Sequence, residues 1–173
     1  MGLGKNRCII IGDRIKLPNA ILLEIKPDNS ETELTQILKQ ICESASWKYG
    51  EIWVPKNDLL QCHQAYYMAD QKYAEFRKES ETFTFGVGAG LPGRVWLTQQ
   101  SEWIENVSLE PSIYYRSHLA KKAGLKAALG VPIIESGSVV AVVVFYNDIA
   151  EHLSEKPILE WSDRIKSLIC GNG

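Results

Sequence analysis

The stretch Val139-Val140-Ala141-Val142-Val143-Val144-Phe145-Tyr146 decides the layering of this 173-residue chain. A strand of such unbroken apolar composition must be covered on both faces, so it belongs in the middle of a sheet with helices on either side. Just before it, Glu135-Ser136-Gly137-Ser138 has turn composition, and Lys126–Ile134 reads as the strand that precedes the turn. The two runs together predict a hairpin.

A second hairpin is predicted closer to the N-terminus. Tyr49–Val54 is a strand with Tyr49, Ile52 and Val54 apolar and Trp53 between them. Pro55-Lys56-Asn57-Asp58 turns the chain, and Leu59–Met68 returns it. Between the hairpins the pattern is broken into short pieces. Asp70–Ser80 reads as a helical turn, Thr82–Phe85 as a short strand, Leu91–Thr98 as a short helix and Trp103-Ile104 as another short strand. Pro111 opens a helical stretch ending near Ala123, with Gly124 just past its end.

Helices are expected at both ends. Ser30 and Glu33 fit a capping box, followed by Leu34, Ile37, Leu38, Ile41 and Ala45 on one face, to about Ser46. Glu155–Ile169 carries Leu159, Ile165, Leu168 and Ile169 on one face. The fold class is therefore α/β in the α+β sense. A central antiparallel sheet of five to six strands has the terminal helices on one face and an irregular helical cap on the other, with a hollow beneath the cap. Residues 1–30 form an N-terminal arm or hairpin, with Arg7–Ile11 and Ala20–Ile25 as strands, Pro18-Asn19 as their turn and Pro27–Ser30 as a terminator. Residues 31–170 form one domain.

Composition narrows the function classes. A formal net charge of −2 gives no field that would gather nucleic acid or an anionic membrane. The longest apolar runs are too short to span a bilayer, and Lys5 and Arg7 lead into no signal-peptide core. The four cysteines Cys8, Cys42, Cys62 and Cys170 are widely spaced, which reads as free thiols in a reducing, cytoplasmic setting. Cys62-His63 is the one close Cys/His pair, and one pair does not make a metal site.

The segment Phe83-Thr84-Phe85-Gly86-Val87-Gly88-Ala89-Gly90-Leu91-Pro92-Gly93-Arg94-Val95-Trp96 resembles the glycine-rich part of bacterial GAF domains. Ala123-Gly124-Leu125-Lys126-Ala127-Ala128-Leu129-Gly130-Val131-Pro132-Ile133 and the hairpin from Gly137 to Tyr146 resemble the parts that follow in that family. The resemblance covers about residues 30–170 and is nearest in pattern to modules of bacterial, particularly cyanobacterial, sensor histidine kinases. It implies a GAF/PAS-like fold and a cytoplasmic regulatory module that couples through its terminal helices to neighbours or to a second copy.

Each chemistry found in the family has a residue test. Photosensory members anchor a bilin on a cysteine of the helix before the Gly-Val/Leu-x-Ala strand. The corresponding Tyr114-Tyr115-Arg116-Ser117-His118-Leu119 has no Cys, and Cys62-His63 lies on a strand elsewhere. Reduction of free methionine sulfoxide needs an attacking and a resolving thiol, and the glycine-rich segment has none. Cyclic-nucleotide members carry Asn-Lys, but Asp148 follows Asn147 here. Gly88-Ala89-Gly90-Leu91-Pro92-Gly93 spells a dinucleotide pattern without its strand-helix-strand setting, and reads better as a backbone turn admitting a helix.

The candidate ligand-binding residues are Trp96, Trp103, Tyr114, Tyr115, Arg116 and His118. An arginine beside aromatic rings suits an anionic or planar ligand, and the alternative for His118 is a plain surface position. Trp96 and Trp103 would wall the cavity or pack the core. No catalytic residue, metal or required cofactor is assigned. The leading expectation is a sensor for an unidentified small molecule, acting as a homodimer through its terminal helices. The alternatives are a ligand-free dimerisation module and a bilin photosensor without the usual cysteine.

Overall fold

The computed structural model describes residues 10–11, 14–15, 27–109, 111–150 and 156–171. Two short strands, β1 (Ile10–Ile11) and β2 (Arg14–Ile15), pair antiparallel. The expected partner strand Ala20–Ile25 and the Pro18-Asn19 turn lie outside the described residues.

Helix α1 spans Pro27–Ala45, so Pro27-Asp28-Asn29 is its first turn and not a terminator, and Ser30 is not its cap. Proline suits this position because the first helical N–H groups have no intrahelical partner to lose. Glu33 does not serve a capping box either, since its carboxylate pairs with Arg164. Leu34, Ile37, Leu38, Ile41 and Cys42 form the buried stripe.

Strand β3 (Tyr49–Lys56) and strand β4 (Leu59–Met68) make the first hairpin. Its two turn residues, Asn57 and Asp58, have φ of 51° and 62°. That is the twist-matching turn which Asn and Asp tolerate best among non-glycine residues. A single 3-10 turn (Gln71–Tyr73) then leads into α2 (Ala74–Ser80), β5 (Thr84–Phe85), α3 (Gly90–Thr98) and β6 (Glu102–Ile104). Helix α4 is shorter than expected, running Ser117–Ala123, and residues 111–116 are turns. Gly124 closes it in the left-handed conformation, φ 74°. The second hairpin is β7 (Ala127–Glu135) with β8 (Ser138–Asn147), and α5 (Lys156–Cys170) completes the fold.

The main sheet has six strands in the order β5-β4-β3-β8-β7-β6, with every neighbour antiparallel. The apolar β8 lies in its interior, as its composition requires. Against one face pack α1 and α5, with Leu38, Ile41, Ile52, Val143, Phe145, Ile158 and Ile165 in one core. Against the other pack α2, α3 and α4, with Tyr49, Trp53, Phe76, Phe85, Leu91, Val95, Tyr114 and Tyr146 in a second core.

Strand β4 is bulged. Glu51 of β3 faces Tyr66 and Trp53 faces Cys62, so His63-Gln64-Ala65 stand opposite the single residue Ile52. A bulge of this kind sharpens the local bend of a strand. The carbonyls of His63 and Gln64 that it frees accept from Arg77 Nη2 of α2 at 2.8 and 3.4 Å.

Candidate functional site

Period-two alternation on β3 sends Tyr49, Glu51 and Trp53 toward the cap, and Ile52 toward the terminal helices. Glu51 therefore sits, fully buried, in the middle of the sheet beneath α2 and α4. A buried carboxylate needs partners, and this one accepts five hydrogen bonds from four residues. Its Oε1 accepts from Arg116 Nη2 at 2.6 Å, Trp53 Nε1 at 2.9 Å and the Tyr146 hydroxyl at 2.9 Å. Its Oε2 accepts from the Tyr49 hydroxyl at 3.2 Å and Arg116 Nη1 at 3.3 Å.

Arg116 is the residue that fills the expected hollow. It caps α4 at its N-terminus and extends inward with no exposed surface. Besides Glu51, it donates to Ser80 Oγ of α2 and to the Tyr146 hydroxyl, both at 2.6 Å. Tyr114 donates to Tyr146 at 3.0 Å. Five rings, from Trp53, Phe76, Phe85, Tyr114 and Tyr146, lie with centroids 5.1–5.8 Å from the guanidinium carbon. The interior under the cap is thus occupied by the chain's own arginine, where open space had been expected. The Nε of Arg116 is buried without a hydrogen-bond partner.

The electrostatics follow from this packing. Burial alone would raise the pKa of Glu51, but the Arg116 charge and the bonds from Arg116, Trp53 and Tyr146 outweigh it and hold the carboxyl below its ordinary value. Burial works against the charge on Arg116 as well. Glu51 more than restores it, so the guanidinium stays protonated. Burial drives the Tyr146 hydroxyl well above the usual tyrosine range. The sheet and cap are therefore joined by an ionised pair at any pH near neutrality.

Of the six residues expected to bind a ligand, Tyr114 and Arg116 come together in this network. Tyr115 is 54% exposed on the turn beside it, with its ring 6.4 Å from that of Phe85. His118 is on the exposed side of α4. Trp96 packs half-buried against the cap-side core. Trp103 belongs to the opposite side of the sheet, against Trp47 at 6.1 Å, so it and Trp96 do not wall one cavity. It lines a shallow surface cleft of ≈ 420 Å³ with Ile104, Glu105, Asn106, Leu109, Ile113 and Ala150.

Glu51, Tyr146, Ser80 and Trp53 are site residues that the sequence reading missed. The signal for Glu51 was an acid alternating with two aromatic residues, Tyr49-x-Glu51-x-Trp53, within an otherwise apolar strand. Cys62 lies at the edge of the same core, its sulfur 3.2 Å from Arg77 Nη1. Burial pushes its thiol up to about 12, so it is no thiolate near neutral pH. The glycine segment packs on itself. A side chain at Gly93 would place its Cβ 2.2 Å from the Gly86 carbonyl oxygen, and Gly88 N–H donates to the Gly93 carbonyl at 2.8 Å. Among the described residues there is no cluster of three or more metal-ligating side chains, and no helix long and apolar enough to cross a membrane.

Comparisons with known proteins agree with this architecture. The chain is 28% identical to protein NLP8 of Arabidopsis thaliana over 77% of its own length and 16% of that relative's. It therefore spans about a sixth of that protein. The fold matches the GAF domain of a phosphoenolpyruvate-protein phosphotransferase from Acinetobacter, with a TM-score of 0.62, 16% identity and 81% of each chain covered. It also matches the type II free methionine-R-sulfoxide reductase of Thermoplasma acidophilum, with a TM-score of 0.63, 14% identity, and 82% of this chain and 93% of that one covered. The family model of the GAF domain matches residues 28–156, and with that span, the six-stranded antiparallel sheet and the two helical layers, the chain belongs to the GAF domain family.

Proposed function

We propose that residues 31–170 act as the regulatory input module of a cytoplasmic signalling protein, in which the cap receives a small molecule and the terminal helices carry the change onward. The observation behind this reading is the adjacency of Glu51 and Ile52. Glu51 holds Arg116 of the cap, and Ile52 lies in the core under α1 and α5. Consecutive strand residues share one backbone but point to opposite faces, so a displacement of Glu51 is felt by Ile52. A ligand that re-forms the Arg116 network thereby shifts the populations of two helix arrangements.

Tyr114 and Arg116 are the inner ligand contacts in this proposal, Tyr115 and His118 the rim, and Trp96 a wall. Trp103 would join only through the separate cleft. Regulation is favoured over turnover because Cys62 is protonated and hydrogen-bonded to Arg77. A histidine kinase as the output rests on the resemblance of the glycine segment alone, and residues 1–30 are assigned as an arm. The free thiols Cys42, Cys62 and Cys170 fit a reducing cytoplasm.

Native mass spectrometry of the purified protein tests the ligand, with hydrogen exchange before and after its removal. We expect a retained small molecule whose loss changes exchange in residues 105–124 and in α1 and α5. No retained mass, together with no thermal shift from a metabolite panel, would end this reading. A second reading, dimerisation without ligand, is favoured by Leu159, which is 55% exposed on α5 beside half-buried Trp161. Under that reading Leu159→Glu converts a dimer to a monomer in sedimentation analysis.

A further inference from the structure

A bare ion pair does not require five aromatic faces around it. Trp53, Phe76, Phe85, Tyr114 and Tyr146 surround the guanidinium of Arg116, and Glu51 supplies the opposite charge. Rings about a cation with a carboxylate at one side make the arrangement by which proteins bind organic cations from solution. An anion entering here would meet an arginine already neutralised and a carboxylate beside it. A second observation is that the resident cation is imperfectly matched, since the buried Nε of Arg116 has no acceptor. Leaving such a donor unpaired is costly.

Arg116 enters from a turn outside the strands of the sheet. It ends the turn of residues 111–116, in which Ile113 and Tyr115 are exposed. The Ile113 carbonyl is held by Arg94 Nη1 at 2.8 Å. Withdrawing Arg116 has to leave Tyr114 in place, buried in the same core with its hydroxyl on Tyr146, and Val107 too, whose N–H donates to the Lys126 carbonyl at 2.6 Å, so the movement is confined to the turn at Tyr115–Arg116. Phe85 joins the chamber to rings nearer the surface, 6.3 Å from half-buried Phe83 and 6.4 Å from exposed Tyr115.

We propose that this aromatic chamber is a binding site for guanidinium-headed small molecules, filled in its resting state by Arg116, which such a ligand must displace. The proposal rests on the reading that the cap receives the ligand, and it names the ligand's chemistry. The tethered side chain competes at high effective concentration, so a free ligand binds the intact protein more weakly than a protein lacking the arginine. Glu51 selects for positive charge, and the rings select against the compact, strongly hydrated ammonium in favour of the weakly hydrated planar cation.

The test uses the full chain with ethylguanidinium as probe, and the neutral isostere ethylurea and ethylammonium as controls. In Arg116→Ala we expect saturable binding of ethylguanidinium by titration calorimetry and a rise in unfolding temperature that neither control reproduces. If Arg116→Ala is unfolded by itself, ethylguanidinium restores its native circular dichroism. A variant that neither binds the probe nor is refolded by it overturns the proposal, as does equal rescue by ethylurea. In the wild type we expect ethylguanidinium binding at least tenfold weaker than in Arg116→Ala, with faster hydrogen exchange in residues 111–116. Absence of any wild-type binding would overturn the proposal as well, the arginine then being a fixed structural plug. Exchange in α1 and α5 reads the relay separately, so probe binding without a response there would defeat the sensor reading and leave the site standing.

Discussion

The Glu51 carboxylate and the Arg116 guanidinium meet at 2.6 Å across the sheet–cap boundary, 65 residues apart in sequence and with neither side chain exposed. Charges taken fully out of water are tolerable only while each has the other, so the pair behaves as one unit.

Removing one partner is therefore far worse than removing both. We expect Arg116→Met or Glu51→Gln to cost about 3–5 kcal/mol, because each strands a buried charge or its donors. The double variant Glu51→Leu/Arg116→Met is expected to cost less than either single change. Urea unfolding of the four proteins gives the coupling, and additive losses would show that the two groups act independently.

The same pair sets the response to acid. Glu51 is held below its ordinary pKa in the fold, so as the pH falls below the usual carboxylate range the unfolded chain takes up its proton first. Stability from this group is present above that range and is lost as the pH drops through the folded value. Urea midpoints along a pH series are expected to fall more steeply in acid for the wild type than for Glu51→Gln. Parallel curves would assign the acid sensitivity to other groups.

Tyr146 is the hub of the hydroxyl network, donating to Glu51 and accepting from Arg116 and Tyr114. Tyr146→Phe is expected to cost about 1–3 kcal/mol through the donors it orphans. Tyr49→Phe loses a single bond to Glu51 and is expected to cost less. Chemical denaturation of both variants checks the order, and a larger loss for Tyr49→Phe would contradict the network as described.

Gly93 has no room for a methyl group, since the Gly86 carbonyl would lie 2.2 Å away. Gly93→Ala is expected to destabilise by at least about 1–3 kcal/mol, the usual cost of overpacking. Thermal unfolding reads this directly. An unchanged midpoint would mean that the segment repacks freely.

Much of this architecture was legible before any coordinates. The apolar run of β8 and the Gly/Asn/Asp turns locate the two hairpins because burial and backbone sterics act locally. Helix ends were less legible. Pro27 has turn composition and yet starts α1, and Pro111 looks like a helix start where the chain only turns until Ser117. Within the site, Tyr114 and Arg116 stand out from the clustering of rings around a cation. Glu51 did not, because grouping Tyr49, Ile52 and Val54 as one apolar set merges two faces of the strand. Trp103 was misplaced for the same reason, since the parity of a three-residue strand is known only once its pairing is. The filling of the cavity by a side chain from a turn 65 residues away is a tertiary event with no local signal.

The two-residue excess of β4 over β3 at His63–Ala65 has an evolutionary corollary. Nη2 of Arg77 is satisfied by carbonyls that the overlong strand frees. A homologous chain shortened by two residues at this place would leave Nη2 of that buried arginine without its acceptors, with Nε still paired to Glu81 at 2.7 Å. Length of this strand and identity of that helix residue should therefore be inherited together.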